Sequence, residues 1–391
     1  MTELEQVRQA LLSSIEAESE PLLQMALWLA DHPELALEEH QASRCYRDYL
    51  AAQGFHVEAP IGGLETAFVA RWGDACAPLR VALLAEMDAL PEIGHACGHN
   101  LSGPASLLAA ATLKQVLSPS ALQVVVVGTP AEEIGIGKRK LVAAEVFHDL
   151  DVALMAHASD MRRAHRLFLG NRKFRFVFRG RAAHAAAAPE CGINALDAMV
   201  AFFVHLGLLH QQLPDGVRIH GVISEGGTVP NVIPERCVAR VWVRALDGEW
   251  LARAAERVLA AARGAAEAVG CGLDVEEEEG TSPPMRPNLP LADCYRRQLH
   301  YLNLPETSGS SAARIGSSDI THVSQVLPTI HPNFPIGSNL ELHTRAFAEA
   351  ARSEAGLQGL REAARALALT VCELALCPDV RAEVARAGAI D

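Results

Sequence analysis

The first long amphipathic stretch opens the chain. Apolar residues recur from Glu3 to Asp31, among them Leu11, Leu12, Ile15, Leu22, Leu23, Met25, Leu27 and Leu29. They predict a helix, ended by His32-Pro33. A second helix is predicted over 38–53, closed by Gly54. The pattern then changes to short apolar runs. Strands are predicted over 66–72 and 80–85, around a turn with Gly73, Asp74 and Pro78. An alanine- and leucine-rich helix follows at 102–117, a valine strand at 124–127, a helix at 140–148, and a strand at 151–155. Strands alternating with helices predict an α/β fold with a mostly parallel sheet.

Near residue 171 the texture shifts. Strands are predicted over 173–179, 217–223, 238–246 and 273–278, with helices over 194–213 and 249–269. Strand-helix-strand-strand-helix-strand is the split βαβ pattern of a small α+β domain. The stretch 171–281 therefore reads as an insertion, bounded by Gly170-Asn171 and by Gly280-Thr281-Ser282-Pro283-Pro284. Residues 1–170 and 282–391 read as the two halves of the interrupted domain. The second half carries a helix at 291–302, the motif Gly316-Ser317-Ser318-Asp319, and an alanine-rich helix predicted over 344–376.

Composition narrows the function. A formal charge of −13 over 391 residues argues against a nucleic-acid partner. The densest run of Arg and Lys, 162–181, reads as a solvated edge strand. No apolar run approaches the roughly 20 residues of a membrane span. The acidic N-terminal stretch lacks the apolar core of a signal peptide. Nine scattered cysteines without CxxC spacing suit a reduced, cytoplasmic protein.

The chemistry gathers after the strand at 80–85. Glu86, Asp88, Cys97 and His99 lie in one Gly- and Pro-rich loop, and Glu132-Glu133 follows the next strand. His157, His331 and His343 add further strand-end or loop donors. Loops at the C-terminal ends of parallel strands are where α/β sheets bind ligands. In extended chain, Cys97 and His99 would point to one side, and Glu132 and Glu133 to opposite sides. One Glu would then bind metal while the other serves as general base. So many soft and borderline donors suit two divalent ions, zinc first and manganese or cobalt next. Such ions lower the pKa of bound water from about 16 toward roughly 7. The competing chemistry is a Cys97 nucleophile with His95 or His99 as base, disfavoured by the short spacing.

Several motifs, in order, resemble peptidase family M20. They are Glu86-Met87-Asp88-Ala89-Leu90-Pro91, Gly94-His95-Ala96-Cys97-Gly98-His99, Pro130-Ala131-Glu132-Glu133, His157, Gly180 to His184, Gly226-Gly227-Thr228, Asn231-Val232-Ile233-Pro234-Glu235 and His343. The amidohydrolase branch, with its auxin-conjugate and aminobenzoyl-glutamate hydrolases, is the nearest in pattern. Glu92, Asn100 and Ile336-Gly337-Ser338-Asn339 resemble the aminoacylase-like sub-branch that holds Xaa-basic dipeptidases. The resemblance implies a two-metal catalytic domain interrupted by a dimerising lid, and a homodimer or higher oligomer. By matching position it implies metal ligands at Cys97, His99, Glu133, His157 and His343, and a general base at Glu132. It implies that His184 steadies the oxyanion in the partner's site, and that Asn231 and Arg244 bind substrate. Asn100 stands where many members carry Asp and reads as a variation behind the ligands; Glu86 stands where other branches use a ligand histidine. The implied reaction is hydrolysis of an amide in a small dipeptide or N-acyl amino acid. An N-acyl-amino-acid or aminobenzoyl-glutamate hydrolase, or an inactive binding homologue, are the alternatives.

Overall fold

A computed structural model describes residues 2–308 and 315–388. The chain runs α1 (Glu3–Asp31), α2 (His40–Ala52), β1 (His56–Glu58), β2 (Phe68–Trp72), β3 (Arg80–Glu86), α3 (His99–Val116), β4 (Gln123–Thr129) and α4 (Gly137–Ala143). It continues through β5 (Val152–Leu154), β6 (His157–Ser159), β7 (Gly170–Arg179), α5 (Ala195–Leu209), β8 (Arg218–Glu225), β9 (Arg236–Ala245), α6 (Gly248–Val269) and β10 (Gly272–Glu277). It ends with α7 (Leu289–Tyr301), α8 (Ile320–Val323), β11 (Thr329–Ile330), β12 (Asn333–Pro335), α9 (Arg345–Ala350), α10 (Glu354–Leu376) and α11 (Pro378–Gly388). Two compact units result. One holds 2–167, 286–308 and 318–388, and the other 168–285 with 315–317.

The first unit is built on a six-stranded sheet of order β1-β2-β4-β3-β5-β11. Its centre is parallel, with β3 pairing in parallel with both β4 and β5, and β5 with β11. β1 and β2 add an antiparallel edge. Every residue of β4 is buried, as a central strand covered on both faces requires. α1, α3 and α10 share one apolar core with this sheet. α3 is buried around its whole circumference up to Leu113, which explains why its sequence is apolar on every side. Gly103 lets it approach so closely, because a Cβ there would lie 2.1 Å from the Tyr46 hydroxyl and 2.6 Å from the Glu86 carbonyl. In this first unit β3 and β4 run in register to Glu86 and Thr129, so the loops leaving them start side by side.

The second unit is a four-stranded antiparallel sheet of order β10-β7-β9-β8. α5 and α6 pack with it around a separate core containing Phe174, Phe176, Phe178, Phe202, Val241 and Val258. This is the βαββαβ order.

Some expectations need correction. β7 is not an edge strand: it lies between β10 and β9. Its basic residues face acids instead of water alone, with Arg172 on Glu277 and Arg179 on Asp274 of β10. The helix expected over 344–376 is two, because Thr344 and Ser353 each accept a backbone N–H as N-caps, from Phe347 and Gly356. The helix expected at 140–148 lies earlier, at α4. β6, β12 and α8 are too short to leave a periodic signal.

Candidate metal centre

The site grows from the loops that leave β3 and β4, from the first residue of β6, and from the turn before α9. The first turns at Cys97, passes Gly98 at φ +81° and enters α3 with His99 as its first residue. Cys97 and His99 therefore meet through a turn and a left-handed glycine, where the sequence suggested extended chain. Only glycine fits there, since a Cβ would lie 2.5 Å from that of Ala158. Glu132 and Glu133 are likewise in a turn, not extended chain, after Ala131 at φ +59°. That backbone lets both carboxylates reach the same cluster. His343 also takes positive φ, +63°, with its N–H held by the Ala96 carbonyl at 2.9 Å. Strained non-glycine residues persist where surrounding structure holds them, as at functional sites.

Two groups of donors result: Cys97, His99 and His157, and Cys97, Glu133 and His343, the donor atoms of each group lying within 4.8 Å of one another. Cys97 belongs to both. A further group joins Glu86, His99 and Glu132. Each buried histidine is oriented by its other nitrogen. His99 Nδ1 donates to the Asp88 carbonyl at 2.8 Å, and His157 Nδ1 to the Ala158 carbonyl at 2.8 Å. Their Nε2 atoms are thereby turned into the cluster, where His157 Nε2 is 3.6 Å from the Cys97 sulfur. Such outer hydrogen bonds fix tautomer and ring direction in metal sites. Asp88 also accepts the Glu133 backbone N–H at 2.9 Å, so one carboxylate ties the first loop to the second. Glu133 is 3.5 Å from His343 Nε2, and Glu132 is 3.9 Å from His99 Nε2.

The residues fit a metal. His99 Nε2, Glu86 Oε2, Asp88 Oδ1 and Glu133 Oε1 are buried without a hydrogen-bond partner, a costly arrangement unless an ion completes it. Burial, reinforced by the charges of Glu86 and Asp319, pushes the Glu132 carboxyl well above its ordinary range. Burial raises Glu133 as well, with Asp88 adding to it, and pushes the Cys97 thiol up. Burial lowers His157 to about 4, leaving it a neutral donor. A cation would relieve the carboxyl and thiol shifts at once and would be served by a neutral His157. The nucleophile alternative for Cys97 weakens, because its sulfur, although 3.6 Å from His157 Nε2, is shared by both groups of ligand-type donors.

Beneath the donors lies a buried charge network that the sequence reading missed. Lys138, the second residue of α4, is fully buried and pairs with Glu86 and Asp319 at 2.6 Å each. Its backbone N–H also donates to Asp319 at 2.8 Å. Asp319 belongs to the Gly316-Ser317-Ser318-Asp319 motif, noted in the sequence without a role. His331 is buried and stacks on His157 at 5.1 Å. Asn100 uses its amide on the carbonyls of Ala26 and Ala351, at 3.1 Å each.

The remaining residues singled out in the sequence lie in the second unit. His184 is exposed, its Nδ1 accepting from the backbone of Ala186 and Ala187 at 3.3 Å. Its segment bridges to that of Asn231, through His184 and Val232 and through Ala185 N–H to the Asn231 carbonyl. These two residues, far apart in sequence, are neighbours within that unit. Arg244 is half-buried on β9 and lies over the Trp242 ring at 5.4 Å.

A parallel α/β sheet carrying paired carboxylates, histidines and a shared cysteine over its strand ends has the donor set of a metal centre. The peptidase dimerisation domain matches residues 169–269. The Xaa-Arg dipeptidase of Mus musculus is 37% identical over 393 residues, covering 96% of this chain and 90% of the relative. That of Homo sapiens is 35% identical over 97% of this chain and 90% of its own. One polypeptide of the p-aminobenzoyl-glutamate hydrolase of Escherichia coli K12 is 30% identical, over 77% of this chain and 66% of its own. A Bacillus subtilis structure described as a dinuclear metal-binding peptidase of the M20 family superposes with a TM-score of 0.72 at 20% identity, covering 92% of this chain and 99% of that one. The chain belongs to peptidase family M20, in its amidohydrolase branch. It is a metal-dependent hydrolase of an amide bond in a small dipeptide or N-acyl amino acid.

Proposed function

We propose that the chain is a dipeptidase that removes a basic amino acid from the C-terminal side of a small dipeptide, using two divalent ions. The observation that carries the reading is the pair of donor groups sharing Cys97, with Glu132 beside them. Cys97, His99 and His157 would hold one ion, and Cys97, Glu133 and His343 the other. Ions held there would supply Lewis-acid polarisation of the scissile carbonyl and a water nucleophilic near neutral pH. Thiolate and imidazole donors favour zinc, and the carboxylates admit manganese or cobalt. Glu132 takes the proton of the attacking water and delivers it to the leaving amine.

Residues 1–170 and 282–391 form the catalytic domain in this reading, and 171–281 the lid and dimerisation domain. A homodimer is supported by α5 and β8. Val200, Val204 and Leu208 recur along α5 at 52%, 56% and 57% exposure, and Val222 on β8 is 61% exposed. β8 is also the outer strand of its sheet, and a long apolar edge invites pairing with a second copy. His184 acts as the oxyanion donor in the partner's site, and Asn231 and Arg244 bind substrate, the Arg244 guanidinium donating to the substrate's carboxylate. All nine cysteines are free thiols, which supports a reducing, cytoplasmic setting. No helix among the described residues is long and apolar enough to cross a membrane.

The substrate class rests on the two Xaa-Arg dipeptidase relatives. A second reading, an aminobenzoyl-glutamate or N-acyl amino acid hydrolase, is favoured by the Escherichia coli relative. A panel of Xaa-Arg, Xaa-Lys and Xaa-ornithine dipeptides, N-acetyl amino acids and aminobenzoyl-glutamate, each with zinc, manganese or cobalt, separates the two. Metal-dependent cleavage confined to basic dipeptides is the expected result. Cleavage confined to aminobenzoyl-glutamate or N-acyl substrates would overturn the dipeptidase reading in favour of the second.

A further inference from the structure

Lys138 is the one lysine among the fully buried side chains of the described residues. A buried ammonium is expensive unless carboxylates surround it, and here two do. Glu86 Oε1 and Asp319 Oδ1 each lie 2.6 Å from its Nζ. Glu86 is thus tethered by one oxygen. Its other oxygen faces the cluster, 3.3 Å from His99 Nε2 and 3.9 Å from His157 Nε2, and has no hydrogen-bond partner. One unit of positive charge and two of negative are therefore fixed directly behind the histidine pair, linked to it through a single carboxylate.

We propose that Lys138 is a built-in cation that sets how tightly the centre holds its metal, by clamping Glu86 and offsetting part of the negative charge behind His99 and His157. The inference rests on the metal-binding reading above. It assigns Lys138 and Asp319 as positioning residues, and its content is electrostatic: metal affinity follows the net charge of Lys138, Glu86 and Asp319. That charge is −1 in the native chain. Lys138→Met makes it −2, Glu86→Gln or Asp319→Asn makes it 0, and Lys138→Met combined with either carboxylate substitution returns it to −1.

The test uses the full chain, stripped of metal and titrated with cobalt or zinc alone against a competing chelator. Lys138→Met is expected to bind about tenfold tighter, and Glu86→Gln and Asp319→Asn about tenfold weaker, the scale of changes in groups supporting metal ligands. Both double variants are expected within about threefold of native, since each restores the charge. Should the single Lys138→Met chain fail to fold, the two carboxylate variants and the two double variants still fix the order. The thiolate-to-cobalt absorption band should persist in all of them, because Cys97 is untouched. If every variant binds metal more weakly, in proportion to its loss of thermal stability, the network is structural support only and the proposal fails. A native chain that takes up no metal would overturn the two-metal reading itself, and this inference with it.

Discussion

Both units of this protein carry dense charge, but they treat it in opposite ways. On the sheet of the second unit, bases meet acids near water: Arg172 with Glu277, Arg179 with Asp274, and Arg240 with Glu278. Over the strand ends of the first unit, Glu86, Asp88 and His99 are buried, and several of their polar atoms lack partners. Exposed, satisfied charge of the first kind contributes at most about 1 kcal/mol per pair. Buried, unsatisfied charge persists only where an ion or a substrate completes it. Charge density along the sequence therefore does not mark the site. A cluster of incompletely paired carboxylate and imidazole atoms in the interior does.

Substitutions on the two sides should differ accordingly. The largest effect is expected from Glu132→Gln, with kcat reduced about 1,000-fold and metal content by elemental analysis unchanged. Near-native turnover would remove Glu132 as the base. Gly98→Ala comes next. The new Cβ meets Ala158 at 2.5 Å in a left-handed backbone, and its cost of at least about 1 kcal/mol should appear as a lower unfolding midpoint together with weaker metal uptake. Equal loss of stability without any change in metal affinity would separate the turn from the site. Val204→Asp places a charge on the exposed apolar face of α5 and should convert the proposed homodimer to monomer in sedimentation velocity. An unchanged mass would point to another interface. Mixing Val204-intact chains carrying His184→Ala with chains carrying Glu132→Gln should restore part of the activity, if His184 serves the partner's site. The smallest effect is expected from Arg240→Ala, under about 1 kcal/mol in urea unfolding with turnover unaltered. A large loss of turnover there would break the contrast between the two units.

Much of this was legible in the chain. The parallel sheet followed from apolar runs alternating with helices, and the βαββαβ unit from the change of period near residue 171. The residues alone offered a wider set of metal-type side chains, Glu86, Asp88, Cys97, His99, Glu132, Glu133, His157, His331 and His343, and only the resemblance to the family narrowed it to Cys97, His99, Glu133, His157 and His343. Lys138 was not, because a lysine in a helix normally reads as solvated, and only the fold brings it to Glu86 and Asp319, 52 and 181 residues away in sequence. The turn that aims Glu132 and Glu133 was also hidden, since it depends on Ala131 holding positive φ, which alanine does not advertise. The break between α9 and α10 lay in two capping residues within an otherwise continuous alanine pattern. The role of the basic stretch in β7 depended on its pairing with β10, a contact about 100 residues apart.

The central claim is that the convergent donors of the first unit hold two divalent ions on which turnover depends. The direct measurement is to strip the purified chain with chelator, reload it with zinc, manganese or cobalt in steps, and record bound metal per chain beside hydrolysis of an Xaa-Arg dipeptide. The account predicts saturation at two ions per chain, with activity absent from the stripped protein and rising with loading. Saturation below one ion, or full activity in the stripped protein, would contradict it.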